Sequence, residues 1–325
     1  MIALIVVAGV ILLAAVLFFV AAHAYSNYVI GHKYKTPQDN PEKYGVDTSW
    51  FDTVADSLGE ENITAFDGIN LVATTLKHKS DSPVKKVAIV QHGYHSGPRS
   101  MQPYAQIFFD KGFDVYMPAA RGNNISGGKY IGMAWIDRFD VMRWIDKVVE
   151  LYGSDVQIAI MGVSMGGSSV VAVSGMQPPP QVKCAIDDCG FSSQLDEYRA
   201  CLKGVKIPKP LLLIPLSVGI RFKCGYSIAE ADICTLAKDS VLPTLFIHGE
   251  RDSFVPAELG KKLFDSCGAA DKRFELFDAG HAASIASDRE RYTAILNEFV
   301  DKYIVSGDDE QQDDKTEQPI DENAQ

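Results

Sequence analysis

A chain of 325 residues with 46% hydrophobic residues is long enough to bury one substantial core and a small insertion beside it. Its 31 Lys and Arg stand against 42 Asp and Glu, a formal net charge of −11. That balance excludes nucleic acid as an expected partner, because phosphate binding needs clustered basic side chains.

The chain opens on an apolar run, Ile2–Ala22, with no charged residue. A bilayer core is crossed by about 20 apolar residues in a helix, so this run reads as a single-pass membrane anchor within residues 1–24. The competing reading is a signal peptide cleaved after Ala24, since Ala22-His23-Ala24 fits a small-x-small site. The anchor is preferred, because the run is long and no Lys or Arg precedes it. Lys33, Lys35 and Lys43 follow the span, which favours a cytoplasmic catalytic domain by the positive-inside tendency. Residues 25–58, polar and holding Pro37 and Pro41, read as a linker.

From about residue 59 to 304 short β-branched runs alternate with amphipathic helical patterns, the signature of an α/β sheet. Asn62–Phe66 and Ile69–Leu76 flank Asp67-Gly68, a hairpin turn signal. Strands are expected at Val84–Val90, Phe113–Met117, Val156–Met161, Val182–Asp187, Thr244–His248 and Arg273–Phe277. Helices are expected through Tyr104–Phe108, over Trp135–Leu151 and Ser164–Met176, and from about Asp288 to Tyr303. Between the strands at 182 and 244 the alternation breaks, in a stretch too long for an ordinary connection. It holds the apolar decapeptide Leu211–Ile220, interrupted by Pro215 and Gly219, and reads as a helical cap at about residues 190–240. The six cysteines follow no metal-type spacing and read as buried free thiols, with disulfides an option only for an exported domain. Residues 305–325 are acidic, with Ile320 the one large aliphatic side chain after Ser306, and read as a disordered tail.

The chemistry concentrates at the ends of the predicted strands. Gly162-Val163-Ser164-Met165-Gly166 is a GxSxG sequence directly after an apolar strand and opening a helix. A sharp strand-to-helix turn exposes the serine hydroxyl, and the helix N-terminus directs amides at developing negative charge. A serine nucleophile needs a base. His281, in Asp278-Ala-Gly-His281, falls after the last strand and before the last helix, the position from which it can reach the same sheet edge. Asp252, in His248-Gly-Glu-Arg-Asp252, follows the strand at 244–248 and is the expected acid, with Asp187 and Asp188 as second choices. The expected oxyanion donors are the Met165 N–H and the Tyr94 N–H in Gln91-His92-Gly93-Tyr94. His92 and His248 read as structural. No phosphate loop, metal-ligand cluster or dinucleotide fingerprint is present, so no cofactor and no metal is expected.

Residues from about 60 to 303 resemble the α/β-hydrolase superfamily. The likeness rests on His92-Gly93, Arg121-Gly122, the GxSxG elbow, the His-Gly-x-x-Asp loop and Gly280-His281, in the chain order Ser, Asp, His. Within it the chain is most similar to bacterial membrane-anchored serine hydrolases with a short helical cap. The resemblance implies an α/β-hydrolase fold, with a mostly parallel central sheet, helices on both faces and a small cap insertion. It also implies a serine hydrolase cleaving an ester of a small or lipid-like substrate. The alternatives are a serine peptidase or amidase, and a non-catalytic membrane-tethered scaffold that has borrowed the fold. Where the superfamily often carries a histidine after the loop glycine, this chain has Arg121-Gly-Asn-Asn.

Overall fold

The computed structural model describes residues 1–31, 49–78 and 85–305. The basic residues used to orient the span and nearly all of the acidic tail lie outside the described residues. Eight strands form one sheet: β1 (Leu58–Thr64), β2 (Asn70–Leu76), β3 (Lys86–Gln91), β4 (Asp114–Pro118), β5 (Gln157–Val163), β6 (Val182–Asp188), β7 (Thr244–Gly249) and β8 (Lys272–Phe277). Their order is β1-β2-β4-β3-β5-β6-β7-β8. β1 pairs antiparallel with β2, and β2 antiparallel with β4, while every pair from β4 through β3 to β8 is parallel. The Asp67-Gly68 turn closes the first hairpin, with Ile63 opposite Leu71.

A parallel strand covered on both faces must be apolar on both, and β3 shows why its run is continuous. Val87 and Ile89 face the cluster holding Trp144, Ile158 and Val170. Ala88 and Val90 face the opposite cluster with Phe108, Tyr292 and Phe299. Helices Gln102–Asp110 and Arg289–Tyr303 cover the latter face, and helices Asp137–Tyr152 and Met165–Ser174 the former. Burying one such Val or Ile side chain stabilises by roughly 1.5–3 kcal/mol.

Helices Gln194–Cys201, Lys209–Cys224 and Ile233–Ala237 fill the stretch between β6 and β7. Ser193 caps the first, its side chain accepting from Asp196 N–H. Pro215 does not break the second, which runs unbroken to a left-handed Gly225 cap. Between β7 and β8 lies a further helix, Ala257–Ser266, that the sequence reading did not mark.

The N-terminal helix runs from Ile2 to Ile30, beyond the residue 24 expected from composition. Before Ala22 no residue of it is buried. Ala22, Ser26 and Ile30, one helical face at four-residue spacing, are buried against the cap. Residues 25–30, expected in the linker, therefore belong to the docked end of the helix. Phe51, also expected there, sits in the core with Phe108. All six cysteines are free thiols.

Candidate active site

The three side chains singled out in sequence meet at the carboxyl ends of parallel strands, where open α/β sheets place their sites. Ser164 follows β5, Asp252 follows β7 and His281 follows β8. His281 Nε2 lies 2.9 Å from Ser164 Oγ, and His281 Nδ1 lies 2.7 Å from Asp252 Oδ2. With Nδ1–H donating to the carboxylate, Nε2 is left to accept the Ser164 hydroxyl proton.

Ser164 adopts φ 57° and ψ −116°, a left-handed backbone that a serine enters only when its surroundings impose it. Its N–H donates to Asp188 O at 2.7 Å, and its carbonyl receives the first helical bond from Ser168 N–H. The turn fits because Gly166 lies against β3: a Cβ there would stand 2.2 Å from Gln91 O. Met165 begins the helix, so its N–H has no carbonyl one turn earlier to bond. The loop after β3 passes beside the nucleophile, with the Cβ direction of Gly93 only 3.3 Å from Ser164 Cβ.

Asp252 is aimed by its own loop. Oδ1 accepts the Phe254 and Val255 N–H groups, each at 2.9 Å, leaving Oδ2 for His281. Its side chain is fully buried, so the carboxylate acts with little solvent screening. His248 lies 3.6 Å from Oδ2, but its Nε2 donates to Val255 O at 2.9 Å, and burial lowers its basicity. His92 is likewise committed: Nδ1 donates to Gly93 O, Nε2 accepts Ala120 N–H, and burial lowers its pKa to about 4. Asp187 and Asp188 turn elsewhere. Asp187 Oδ1 accepts Gly190 N–H, and Asp188 Oδ2 accepts the hydroxyls of Tyr292 and Tyr104. Burial pushes Asp188 up to about 6. In the loop after β4, Arg121 forks onto Asp140 at 2.6 and 2.7 Å and reaches Asp67 at 2.7 Å. That clamp ties the loop to the first hairpin.

Two neighbours escaped the sequence reading. Cys189, at φ 55°, brings its sulfur within 4.8 Å of the Asp252 carboxylate and the His281 ring. The trio has metal-ligand chemistry, but burial and the Asp188 charge push the Cys189 thiol well up, which keeps it neutral. Glu197, on the first cap helix, is 4% exposed. Its Oε1 accepts the Cys201 thiol at 3.2 Å, and its Oε2 is buried without a partner. Burial pushes it up to about 7, against the Cys201 bond and the attraction of nearby His281. No motif marks a lone glutamate on a cap helix, so no sequence signal could have found it.

Known proteins agree with this architecture. A family model described as serine aminopeptidase S33 matches residues 82–189, and one described as serine hydrolase FSH1 matches residues 155–283. The uncharacterized protein YqkD of Bacillus subtilis (strain 168) is 23% identical over 284 residues, 85% of this chain and 91% of that one. The uncharacterized protein YfhR of Escherichia coli O157:H7 is 25% identical over 248 residues, 75% of this chain and 79% of that one. Among solved structures, the Pyrococcus furiosus esterase Pf2001 superposes with a TM-score of 0.64 at 20% identity, covering 78% of this chain and 94% of the esterase. The sheet order and the likeness to the esterase are those of the α/β-hydrolase fold, and two stretches of the chain match serine-hydrolase family models.

Proposed function

We propose that the protein hydrolyses carboxylic esters through an acyl-enzyme on Ser164, with His281 as general base and Asp252 as the acid that orients it. The observation that carries this reading is the unbroken row Ser164 Oγ, His281 Nε2, His281 Nδ1, Asp252 Oδ2, at 2.9 and 2.7 Å. Ser164 Oγ attacks the ester carbonyl carbon as its proton passes to His281 Nε2. The Tyr94 and Met165 N–H groups hold the oxyanion. Collapse breaks the C–O bond, and His281 returns its proton to the departing alkoxide. Water then attacks the acyl carbon, gives a proton to His281 and releases the carboxylic acid with Ser164 restored.

One observation favours a second reading, an aminopeptidase-like amidase. The unpartnered Glu197 Oε2 near His281 is the kind of group that receives a substrate ammonium. Turnover of p-nitrophenyl butyrate against an aminoacyl p-nitroanilide separates the two. Ester cleavage with negligible anilide cleavage is expected. The reverse order, with anilide turnover collapsing in Glu197→Gln, contradicts the esterase reading.

A further inference from the structure

The N-terminal helix is built into the domain at the point where the site is assembled. A Cβ on Gly219 would stand 2.2 Å from Ser26 Oγ and 2.4 Å from Ala22 O, so only glycine permits the cap helix Lys209–Cys224 to lie this close. Lys223 Nζ donates to His23 O at 2.7 Å and to Ser26 Oγ. Beyond the helix, Ile131 N–H donates to Ile30 O at 2.8 Å, and the Tyr94 hydroxyl donates to Val29 O. Ile30 shares an apolar cluster with Met165, Leu213 and Leu216. Both expected oxyanion donors, Tyr94 and Met165, thus belong to residues that touch or share a cluster with the end of the span.

The direction of the cap helix follows from its contacts. Gly219 meets Ala22 and Ser26, while Phe222 meets Phe19, ring centroids 5.7 Å apart. The two helices therefore run antiparallel, and the C-terminal end of the cap helix descends beside the apolar run. At about 1.5 Å per residue, Phe19 lies roughly 5 Å inside the Ala22 end of that run. Phe222 stands at the same level and is 76% exposed. Its sequence neighbours are engaged within the protein, Arg221 with Glu230 at 2.7 Å and Lys223 with the N-terminal helix, so Phe222 is the side chain this tip leaves exposed.

We propose that the tip of the cap helix, with Phe222 foremost, is seated in the lipid bilayer beside the N-terminal span. The span and cap then act as one rigid mount, holding the catalytic site at a fixed height and serving an acyl substrate carried in the membrane. The bilayer is the occupant because the exposed ring is continuous with the exposed apolar run and level with Phe19. The substrate half rests on the esterase reading above; the seating of Phe222 does not.

The test uses the full chain in phosphatidylcholine nanodiscs carrying doxyl-labelled lipid, comparing Phe222→Trp and Phe19→Trp with the wild type and its Trp50, Trp135 and Trp144. The added emission of both variants is expected to be quenched more by a shallow doxyl than by a deep one. Phe19→Trp quenched while Phe222→Trp is no more quenched than the wild type would overturn the seating and leave the span intact. Emission at Phe222→Trp that is blue-shifted yet insensitive to doxyl lipid would assign the surface to a protein partner and overturn it equally. Neither variant quenched would remove the span and the seating together. On the same discs, Phe222→Asp is expected to lower hydrolysis of a bilayer-embedded acyl ester about ten-fold relative to a water-soluble ester. An equal rate ratio for the two proteins would overturn the membrane-borne substrate. Quenching with no ester cleaved by the wild type would leave the seating standing and sink the esterase reading instead.

Discussion

Asp252 divides its oxygens between two tasks, and the division explains how one carboxylate both holds its loop and orients the imidazole. Oδ1 is saturated by two backbone N–H groups, so the side chain has one rotamer and Oδ2 one direction. Asp252→Asn retains the size but presents an amide to Nδ1, favouring the wrong tautomer. Its kcat on p-nitrophenyl butyrate is expected to fall by about 10⁴, with far-UV circular dichroism unchanged. A fall of less than ten-fold would place the orienting role elsewhere, with Asp188 next in line. Glu197 makes a prediction of opposite kind. Its pKa in the fold, about 7, lies above the ordinary 4.5, so burial favours the protonated form. Below the ordinary value the carboxyl is neutral folded or unfolded and costs nothing; the cost grows as pH rises and is complete above about 7. Glu197→Gln should therefore stabilise the protein by about 2–3 kcal/mol at pH 8 and by roughly a quarter of that at pH 5. Denaturant midpoints at the two pH values measure this, and a gain independent of pH would contradict the buried-carboxyl account.

At the scale of elements, the docked end of the N-terminal helix carries the most consequence. Ile30 is fully buried in the cap cluster. Ile30→Ala should cost about 2–4 kcal/mol and lower Tm by roughly 5–15 °C, as for any core residue. A shift within error would mean that the helix end is not part of the folded unit. The strands were legible in sequence because buried parallel strands are nearly continuous apolar runs, and β3, β5 and β7 each read that way. The GxSxG turn was legible because glycine has no substitute where Gly166 meets the Gln91 carbonyl. The helix Ala257–Ser266 was not, because it is short and buries only Gly260 and Leu263. The docking of residues 22–30 was not, because small residues such as Ala22, Ser26 and Gly219 record a close helix–helix approach only once both helices are in place. Glu197 left no trace because a buried carboxyl is identified by its surroundings, and Asp252 and His281 come from loops far from it in sequence.

For the whole molecule, the N-terminal helix is packed against the cap, with Ala22, Ser26 and Ile30 buried and Ile30 in the apolar cluster that holds Met165. Cleavage after Ala24 would remove Ala22 and the His23 carbonyl that Lys223 donates to, uncovering Gly219. The protein recovered from membranes is therefore expected to retain its N-terminal residues, which intact-mass spectrometry reads directly; a mass beginning at Tyr25 would contradict this. The central claim is that Ser164 is an activated nucleophile, and labelling of the full chain with a fluorophosphonate probe tests it most directly. Peptide mapping is predicted to place the label on Ser164, absent in Ser164→Ala and sharply reduced in His281→Ala. Folded protein that takes no label, or labels equally well without Ser164, would contradict the account.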